Sequence, residues 1–219
     1  YKVTMTVNTT NITAETDPEG DAIDTFSVGS IVGKLVTVNT PYLTITPEAM
    51  NAGYAVINDM DVELFKGTIE AVAGDVTMSR MRFEGGHATA GNVTYTVANM
   101  DKDNWSGVGL YLNGSDSPTQ LLTSSNLTEG ELDFNSFSAT IADGDTIDFV
   151  VKGDVGSTLD SSNKTVHLQL DTVTAKDGDN DDAGVKDPAG TTIATTAELE
   201  STRTVTLTDK GILYTSLRN

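Results

Sequence analysis

The sequence predicts an all-β protein, an antiparallel β-sandwich, and three observations lead to that prediction. Val, Ile, Leu and Phe are set among many Thr, Ser and Gly, a composition that favours pleated strands and turns over helices. Apolar residues recur at every second position in several short segments, which is the period of a strand with one buried face. Turn residues separate these segments at short intervals. Short alternating strands with frequent turns are typical of a sandwich, and a closed barrel is the alternative.

The alternating segments predict ten strands along the chain. In order, they span residues 33–38, 62–65, 68–72, 76–83, 93–97, 108–112, 134–141, 146–151, 165–170 and 202–208. The fourth is expected to be irregular, because its apolar period shifts between Met78 and Met81. Turns are predicted at 113–114, 129–130, 143–145 and 153–154, where glycine follows or precedes Asn, Asp or Glu. A single helical turn is expected at 47–51.

Three landmarks recur along the chain in the same order and indicate a tandem repeat. GILYTSL at 211–217 is similar to GKLVTVN at 33–39, and VHLQLDT at 166–172 is similar to VTMTVNT at 3–9. Acidic loops follow at 17–21 and 177–181. We therefore expect 33–210 to be one complete sandwich repeat. Residues 1–32 would be the C-terminal strands of a preceding repeat, or an exchanged N-terminal strand region. Residues 211–219 would be the first strand of a following repeat, or a donor strand.

Four segments of the predicted complete repeat resemble a known class of module. They are KGTIEA at 66–71, GDVTM at 74–78, GLYLNG at 109–114 and IADGDTIDFVVKGDV at 141–155. Together they resemble the immunoglobulin-like modules that are strung along large secreted and surface-layer proteins of bacteria and archaea. The resemblance implies an immunoglobulin-like sandwich at the cell surface with a structural or adhesive role, and it implies no catalysis.

Charge and composition exclude several classes of partner. The chain has 32 Asp and Glu against 13 Lys and Arg, for a formal net charge of −19. Nucleic acids and anionic membranes need a basic face, so neither is an expected partner. The apolar runs are only a few residues long, so no membrane-inserted helix is expected. The absence of cysteine excludes disulfides and thiolate-bound zinc. Since the chain begins at Tyr1 without a signal peptide, we expect a mature or excised segment.

No catalytic motif stands out, and the chain is predicted not to be an enzyme. The two histidines, His87 and His167, fall in a predicted loop and a predicted strand. Carboxylate pairs are numerous, so a glycosidase is kept as a disfavoured alternative. Trp105, the one tryptophan, is expected to close one end of the sandwich core, with stacking on a sugar as the alternative.

Alternating carboxylates predict a calcium site. Asp177, Asp179 and Asp181 are spaced so that a curled backbone would direct their oxygen atoms toward one Ca²⁺ ion. The loop of the preceding repeat carries a similar set, Asp17, Glu19 and Asp21. A flexible solvated loop is the alternative interpretation.

Asparagine context favours a secreted glycoprotein. Seven asparagines precede x-Ser or x-Thr without proline, namely Asn8, Asn11, Asn92, Asn104, Asn113, Asn126 and Asn163.

These observations predict an extracellular structural protein that self-assembles, head to tail, into a surface layer or a filament. In that interpretation the last strand pairs with a neighbouring subunit, which would bury Leu213, Tyr214 and Leu217. The alternative is a carbohydrate-binding or adhesive module of a larger secreted protein, with glycans as its partners.

Overall fold

A computed structural model gives the fold. Its described side chains span 39–85, 103–127, 130–159, 165–193, 199–201 and 203–209. For the backbone alone, it also describes 2–3, 6–8, 30–32, 36–37, 86–89, 92–94, 102 and 202. Residues 1–40 and 41–219 form two separate compact units. The predicted division into 1–32, 33–210 and 211–219 stays a prediction.

The first unit contains two short antiparallel ladders. Strand β1 (Lys2–Val3) pairs with β4 (Val36–Thr37), and β2 (Thr6–Asn8) pairs with β3 (Ser30–Val32).

The second unit is built almost entirely from strands. They are β5 (Tyr42–Pro47), β6 (Gly53–Val56), β7 (Val62–Val72), β8 (Val76–Thr89), β9 (Asn92–Thr94), β10 (Trp105–Leu112), β11 (Gln120–Thr123), β12 (Glu131–Phe134), β13 (Ala139–Ile141), β14 (Thr146–Val155), β15 (Thr165–Asp177), β16 (Gly184–Lys186) and β17 (Leu199–Thr208). One turn of 3₁₀ helix, Lys102–Asn104, precedes β10.

These strands form two sheets that pack face to face, which confirms the predicted β-sandwich. The six-stranded sheet has the order β11-β10-β14-β7-β5-β16. The seven-stranded sheet has the order β12-β8-β15-β17-β6, and β13 and β9 also pair with β8. Neighbours are antiparallel except at one edge of each sheet, where β16 runs parallel to β5 and β6 runs parallel to β17. The sequence did not predict these parallel edges.

Four phenylalanines join the two sheets at the centre of the core. Phe65 and Phe149 come from the six-stranded sheet and Phe83 and Phe134 from the other, and all four are fully buried. Their ring centroids lie 5.4 to 6.4 Å apart in mostly tilted or edge-to-face pairs, the geometry that aromatic quadrupoles favour.

The irregularity that the sequence predicts in the fourth strand is confirmed. Thr174 pairs with Arg80 and Ala175 pairs with Met78, so Ser79 is an extra residue in β8. The same pair of strands has an extra residue on the β15 side, Asp171. Each bulge re-aims the side chains that follow it, which explains the shift in apolar period.

Several expected elements differ in the structure. Residues 62–72 form one strand where two were predicted, and 134–141 are divided between β12 and β13. Residues 153–154 lie inside β14 and form no turn. Glycine is needed at position 153 because a Cβ atom there would clash with the buried Trp105 indole. No helical turn forms at 47–51, where Pro47 ends β5.

Candidate binding site

A groove crosses the outward face of the six-stranded sheet. Along β14, Phe149 and Val151 point into the core with no exposed surface, so the alternate residues Asp148, Val150 and Lys152 point outward. The groove has a volume of about 310 Å³. Residues of β7, β10 and β14 form its floor, and the 114–116 loop and Glu48 form its walls.

The groove is polar and carries charges of both signs. Four carboxylates line it, those of Glu48, Glu63, Asp116 and Asp148, together with the ammonium groups of Lys66 and Lys152. These residues are as much as 152 − 48 = 104 positions apart in the sequence, and the antiparallel register of β7, β10 and β14 brings Glu63, Lys66, Asp148 and Lys152 together.

Both lysines of the groove are held by neighbours within the same domain. Lys66 Nζ lies 2.6 Å from Glu48 Oε1, and this hydrogen bond raises the pKa of the lysine. Lys152 Nζ lies 4.7 Å from the centroid of the Tyr111 ring and 3.9 Å from Asp61 Oδ1.

The ring of Tyr111 lies close against the sheet. A Cβ atom built on Gly109 would lie 2.8 Å from Tyr111 Cε2 and 3.2 Å from Pro118 Cβ, so glycine gives the ring its place. Burial, aided by the charges of Asp61 and Asp154, raises the pKa of the Tyr111 phenol. The ring therefore has neighbours on the sheet and at Lys152, and it does not project as a free aromatic platform.

A second, smaller pocket continues the groove toward the neighbouring sheet. It has a volume of about 210 Å³ and shares Glu63 and Lys66 with the groove. Ala49, Met50, Asn51 and Arg203 complete its lining.

The outward face of the seven-stranded sheet is very different. On β15, Val166, Leu168 and Leu170 point into the core, and His167, Gln169 and Asp171 lie on the other side. These three polar residues are nevertheless at most 5% exposed. Asp171 Oδ2 accepts hydrogen bonds from the Arg82 guanidinium and from Thr172 Oγ1. Among the residues that the structure describes, Asp171 Oδ1 and both polar atoms of the Gln169 amide have no hydrogen-bond partner.

Carboxylates surround the buried row, as we call His167, Gln169 and Asp171 together. Glu84 lies opposite Gln169 on β8, and Glu200 lies opposite it on β17. Glu131 on β12 is next to Glu84 and accepts a hydrogen bond from Arg82. Burial, followed by the charge of Asp171, raises the pKa of Glu84.

The predicted calcium ligands lie in a hydrogen-bonded turn. Asp177 Oδ1 accepts hydrogen bonds from the backbone N–H groups of Asp179 (3.0 Å) and Asp181 (2.9 Å). Ten residues later, Asp187 Oδ1 accepts a bond from the Thr191 N–H in a turn of similar form. In the described part of the chain, no three Asp, Glu or His side chains are placed to hold a metal ion. Asp17, Glu19 and Asp21 lie outside the described residues, and calcium binding stays a prediction.

The predicted glycosylation sites have different environments. Asn113 and Asn126 are exposed, whereas Asn104 is fully buried and its side chain is inaccessible to a glycan in the folded domain. Asn8 and Asn92 lie in strands whose backbone alone is described. Asn11 and Asn163 lie outside the described residues, as do the predicted assembly residues Leu213, Tyr214 and Leu217.

The expectation for Trp105 is confirmed, because its side chain is 1% exposed and packs in the core. A Cβ atom built on Gly153 would lie 2.5 Å from Trp105 Cζ3. His167 lies in a strand, as expected, and its Nδ1 atom is 3.0 Å from the Arg203 carbonyl oxygen. His87 lies in β8, not in a loop.

Sequence reasoning did not single out the residues that line the groove. The alternation of apolar and polar residues along each strand indicates which positions face outward. Among those positions are Lys66, Tyr111, Asp148 and Lys152. Without the register between strands, however, the period does not show which outward residues are neighbours.

In the part of the chain that the structure describes, no helix is long and apolar enough to cross a lipid bilayer.

Comparison with known proteins gives few matches. No protein-family model matches the chain, and the curated proteins contain no significant match. Among solved structures, the chain is similar to a non-cellulosomal cohesin from the archaeon Archaeoglobus fulgidus, with 14% identity and a TM-score of 0.27. That alignment covers 76% of this chain and 91% of the cohesin.

A second solved structure with similarity is a type I cohesin–dockerin complex from Clostridium thermocellum. Its identity is 8% and its TM-score is 0.27, and the alignment covers 80% of this chain and all of the matched chain. TM-scores this low carry no argument about function, and the β-sandwich assignment rests on the strands and sheets described above.

Proposed function

We propose that the second unit is a protein-binding, adhesive module of a larger extracellular protein. The observation that carries this proposal is the polar groove on the outward face of the six-stranded sheet. A rigid sheet holds the groove, so a partner would bind a surface that is already formed and would order few side chains.

The charges of the groove specify the chemistry of that partner. Its four carboxylates exceed its two lysines, and the chain as a whole has a net charge of −19. Opposite charges across an interface accelerate association, and like charges reject wrong partners. We therefore expect the partner to present lysine or arginine side chains to Asp116 and Asp148.

A protein is a better fit to this groove than a glycan. Sugar rings bind proteins by stacking on an exposed aromatic face, but the Tyr111 ring already contacts Gly109 and the ammonium group of Lys152. The carbohydrate-binding alternative has no exposed aromatic platform in the described part of the groove.

The test is photo-crosslinking in cells that produce the full protein. A photoreactive benzoylphenylalanine replaces Tyr111 in one variant and Thr140, an exposed residue of the seven-stranded sheet, in the control variant. The proposal predicts a crosslinked protein, identified by mass spectrometry, at position 111 and none at position 140. Equal crosslinking at both positions, or none at 111, would contradict it. Glycan-array binding that disappears in Tyr111→Ala would favour the alternative.

Self-assembly into a surface layer or filament is the second candidate function, and edge strand β6 favours it. Tyr54 and Met60 are 58% and 73% exposed, more than Leu121 at 49%, which is the third large apolar side chain exposed in the described part of the chain. Tyr54 belongs to β6, at the edge of the seven-stranded sheet. Val56 N–H is occupied by Asp59 Oδ2 at 2.8 Å, so the edge available to a second copy is short.

Sedimentation at low and high salt tests this candidate. Because the subunits repel one another, self-assembly should strengthen as salt screens their charges. Tyr54→Lys should then stay monomeric, and a variant lacking 211–219 should do the same if that segment is the donor strand. A wild-type protein that is monomeric at every salt concentration would remove self-assembly from consideration.

A further inference from the structure

Arg203 differs from every other cationic side chain in the described part of the chain. Arg80 is paired with Asp133, and Arg82 is paired with Asp171 and Glu131. The four lysines have a carboxylate or an aromatic ring as partner, namely Lys66, Lys152, Lys176 and Lys186. Arg203 has neither, although acidic residues outnumber basic ones by 32 to 13.

One nitrogen of the partly buried Arg203 guanidinium, the buried Nε atom, has no hydrogen-bond partner among the described residues. A Cβ atom built on Gly53 would lie 2.6 Å from the Arg203 terminal nitrogen Nη2, so the glycine leaves room for the guanidinium. Burying a charged donor without a partner is costly, and native structures usually supply one.

The backbone around Arg203 is fixed by hydrogen bonds that link the two sheets. The Arg203 N–H donates to Ser201 Oγ at 3.0 Å, and Ser201 Oγ donates to the Leu64 carbonyl oxygen at 3.1 Å. Arg203 therefore lines the small pocket from a backbone that is fixed in both sheets, which is the arrangement expected of a binding residue.

We propose that this pocket binds a single carboxylate, supplied by an acidic side chain or C-terminus of the protein partner. The planar guanidinium presents its N–H groups in a fork that matches a carboxylate. Lys66 adds a second cation to the pocket, and Glu48 already balances its charge. Glu63 lines the same pocket, so a dianion such as phosphate would meet more repulsion than a carboxylate.

This proposal deepens the proposed function, on which its choice of a protein partner rests. The groove and the small pocket together form one cleft, whose two ends prefer groups of opposite charge. The Asp116 end accepts basic groups and the Arg203 end accepts one acidic group, so the cleft fixes the direction in which a partner lies across the sheet.

The test is a titration of the full chain, followed by NMR, with acetate replacing chloride at constant ionic strength. We expect a saturable shift of the Arg203 Nε–Hε signal, which Arg203→Lys identifies by its loss. Arg80 is the internal control, because its Nε already donates to Asp133 Oδ1 at 2.6 Å. In Arg203→Lys, the backbone signals of 49–51 should report a loss of affinity of about tenfold or more.

Two further probes identify the source of the carboxylate. N-acetylglutamate amide should bind at least as tightly as acetate, and glucuronate should bind no more tightly than acetate. Tighter binding of glucuronate would overturn the assignment to a protein carboxylate. A shift at Arg203 no larger than that at Arg80 would overturn the site itself. No partner is present in the titration, so its failure and a failure of crosslinking at position 111 are separate results.

Discussion

The outward faces of the two central strands, β14 and β15, differ in their access to solvent. On β14, Asp148 is exposed and the side chain of Lys152 keeps 27% of its surface exposed. On β15, Gln169 and Asp171 are each 1% exposed, although their side chains are as polar as those on β14. The two strands thus carry similar residue types on surfaces with different roles.

The two faces therefore differ in their availability to a partner. Charges on the six-stranded face remain partly hydrated, so they are accessible to the charged groups of a partner. On the seven-stranded face, a buried carboxylate is paired with Arg82 and the amide next to it has no partner among the described residues. We interpret the buried row as an element that fixes the packing of its own domain, and the open groove as the binding surface.

Among the substitutions on the two faces, Asp171→Ala is expected to change the free energy of unfolding most. It would remove the most buried partner of the Arg82 guanidinium, which keeps Glu131, and losing a charged hydrogen bond of this kind destabilises a fold by about 1.5–3 kcal/mol. Asp148→Ala, on the open face, should change stability by less than about 0.5 kcal/mol. Urea unfolding of both variants measures the difference. If Asp171→Ala and Asp148→Ala had equal free energies of unfolding, the two faces would not differ in their contribution to stability.

A smaller effect of opposite sign is expected from Gln169→Leu. The amide is buried without a partner in the described structure, so an apolar side chain of similar size should stabilise the domain by about 1–2 kcal/mol. Thermal and urea unfolding would measure this gain. If Gln169→Leu instead lowered the free energy of unfolding by about 1–2 kcal/mol, the Gln169 amide would have a hydrogen-bond partner and the buried row would be fully hydrogen-bonded.

The sequence predicted those features that depend on neighbouring residues. The shift between Met78 and Met81 revealed a bulge, and the Asn113-Gly114 pair revealed a turn, in which both residues have positive φ. Features that depend on distant partners were missed. From the sequence alone, Gly153 predicts a turn. In the structure it makes room for the ring of Trp105, which lies almost fifty residues away in the sequence.

The same limit applies to the candidate site. Lys66, Tyr111 and Lys152 meet only because three strands pair in one register, which no local pattern encodes. Among the described cationic side chains, Arg203 is exceptional for having neither a carboxylate nor an aromatic ring as partner, and this property is visible only in the folded structure.

The pH dependence of stability gives a finer test on the buried face. Because burial and the charge of Asp171 raise the Glu84 pKa above its unfolded value, the folded state binds the proton more tightly. The contribution of Glu84 to stability is therefore fully present below its unfolded pKa and is lost as pH rises through the folded one. Glu84→Gln should match the wild type at low pH and exceed its stability at neutral pH. A difference that does not change with pH would contradict this assignment.

The smallest expected effect is on the open face. Lys152→Met removes a partly exposed cation from the Tyr111 ring and from Asp61, interactions worth about 0.5–1 kcal/mol together. Its unfolding midpoint in urea should therefore be close to that of the wild type. A loss of several kcal/mol would mean that the groove is itself a stabilising element of the fold.

Lysine acetylation of the protein in its native surroundings, compared with that of the purified chain, tests whether a partner covers the six-stranded face. Lys66 and Lys152 line the groove, whereas Lys176, which pairs with Asp182 at 2.7 Å, lies outside it and serves as the control. If a partner covers the six-stranded face, Lys66 and Lys152 should react more slowly in the native surroundings, and Lys176 should react at the same rate in both. Equal reactivity of Lys66 and Lys152 in the two samples would contradict the account.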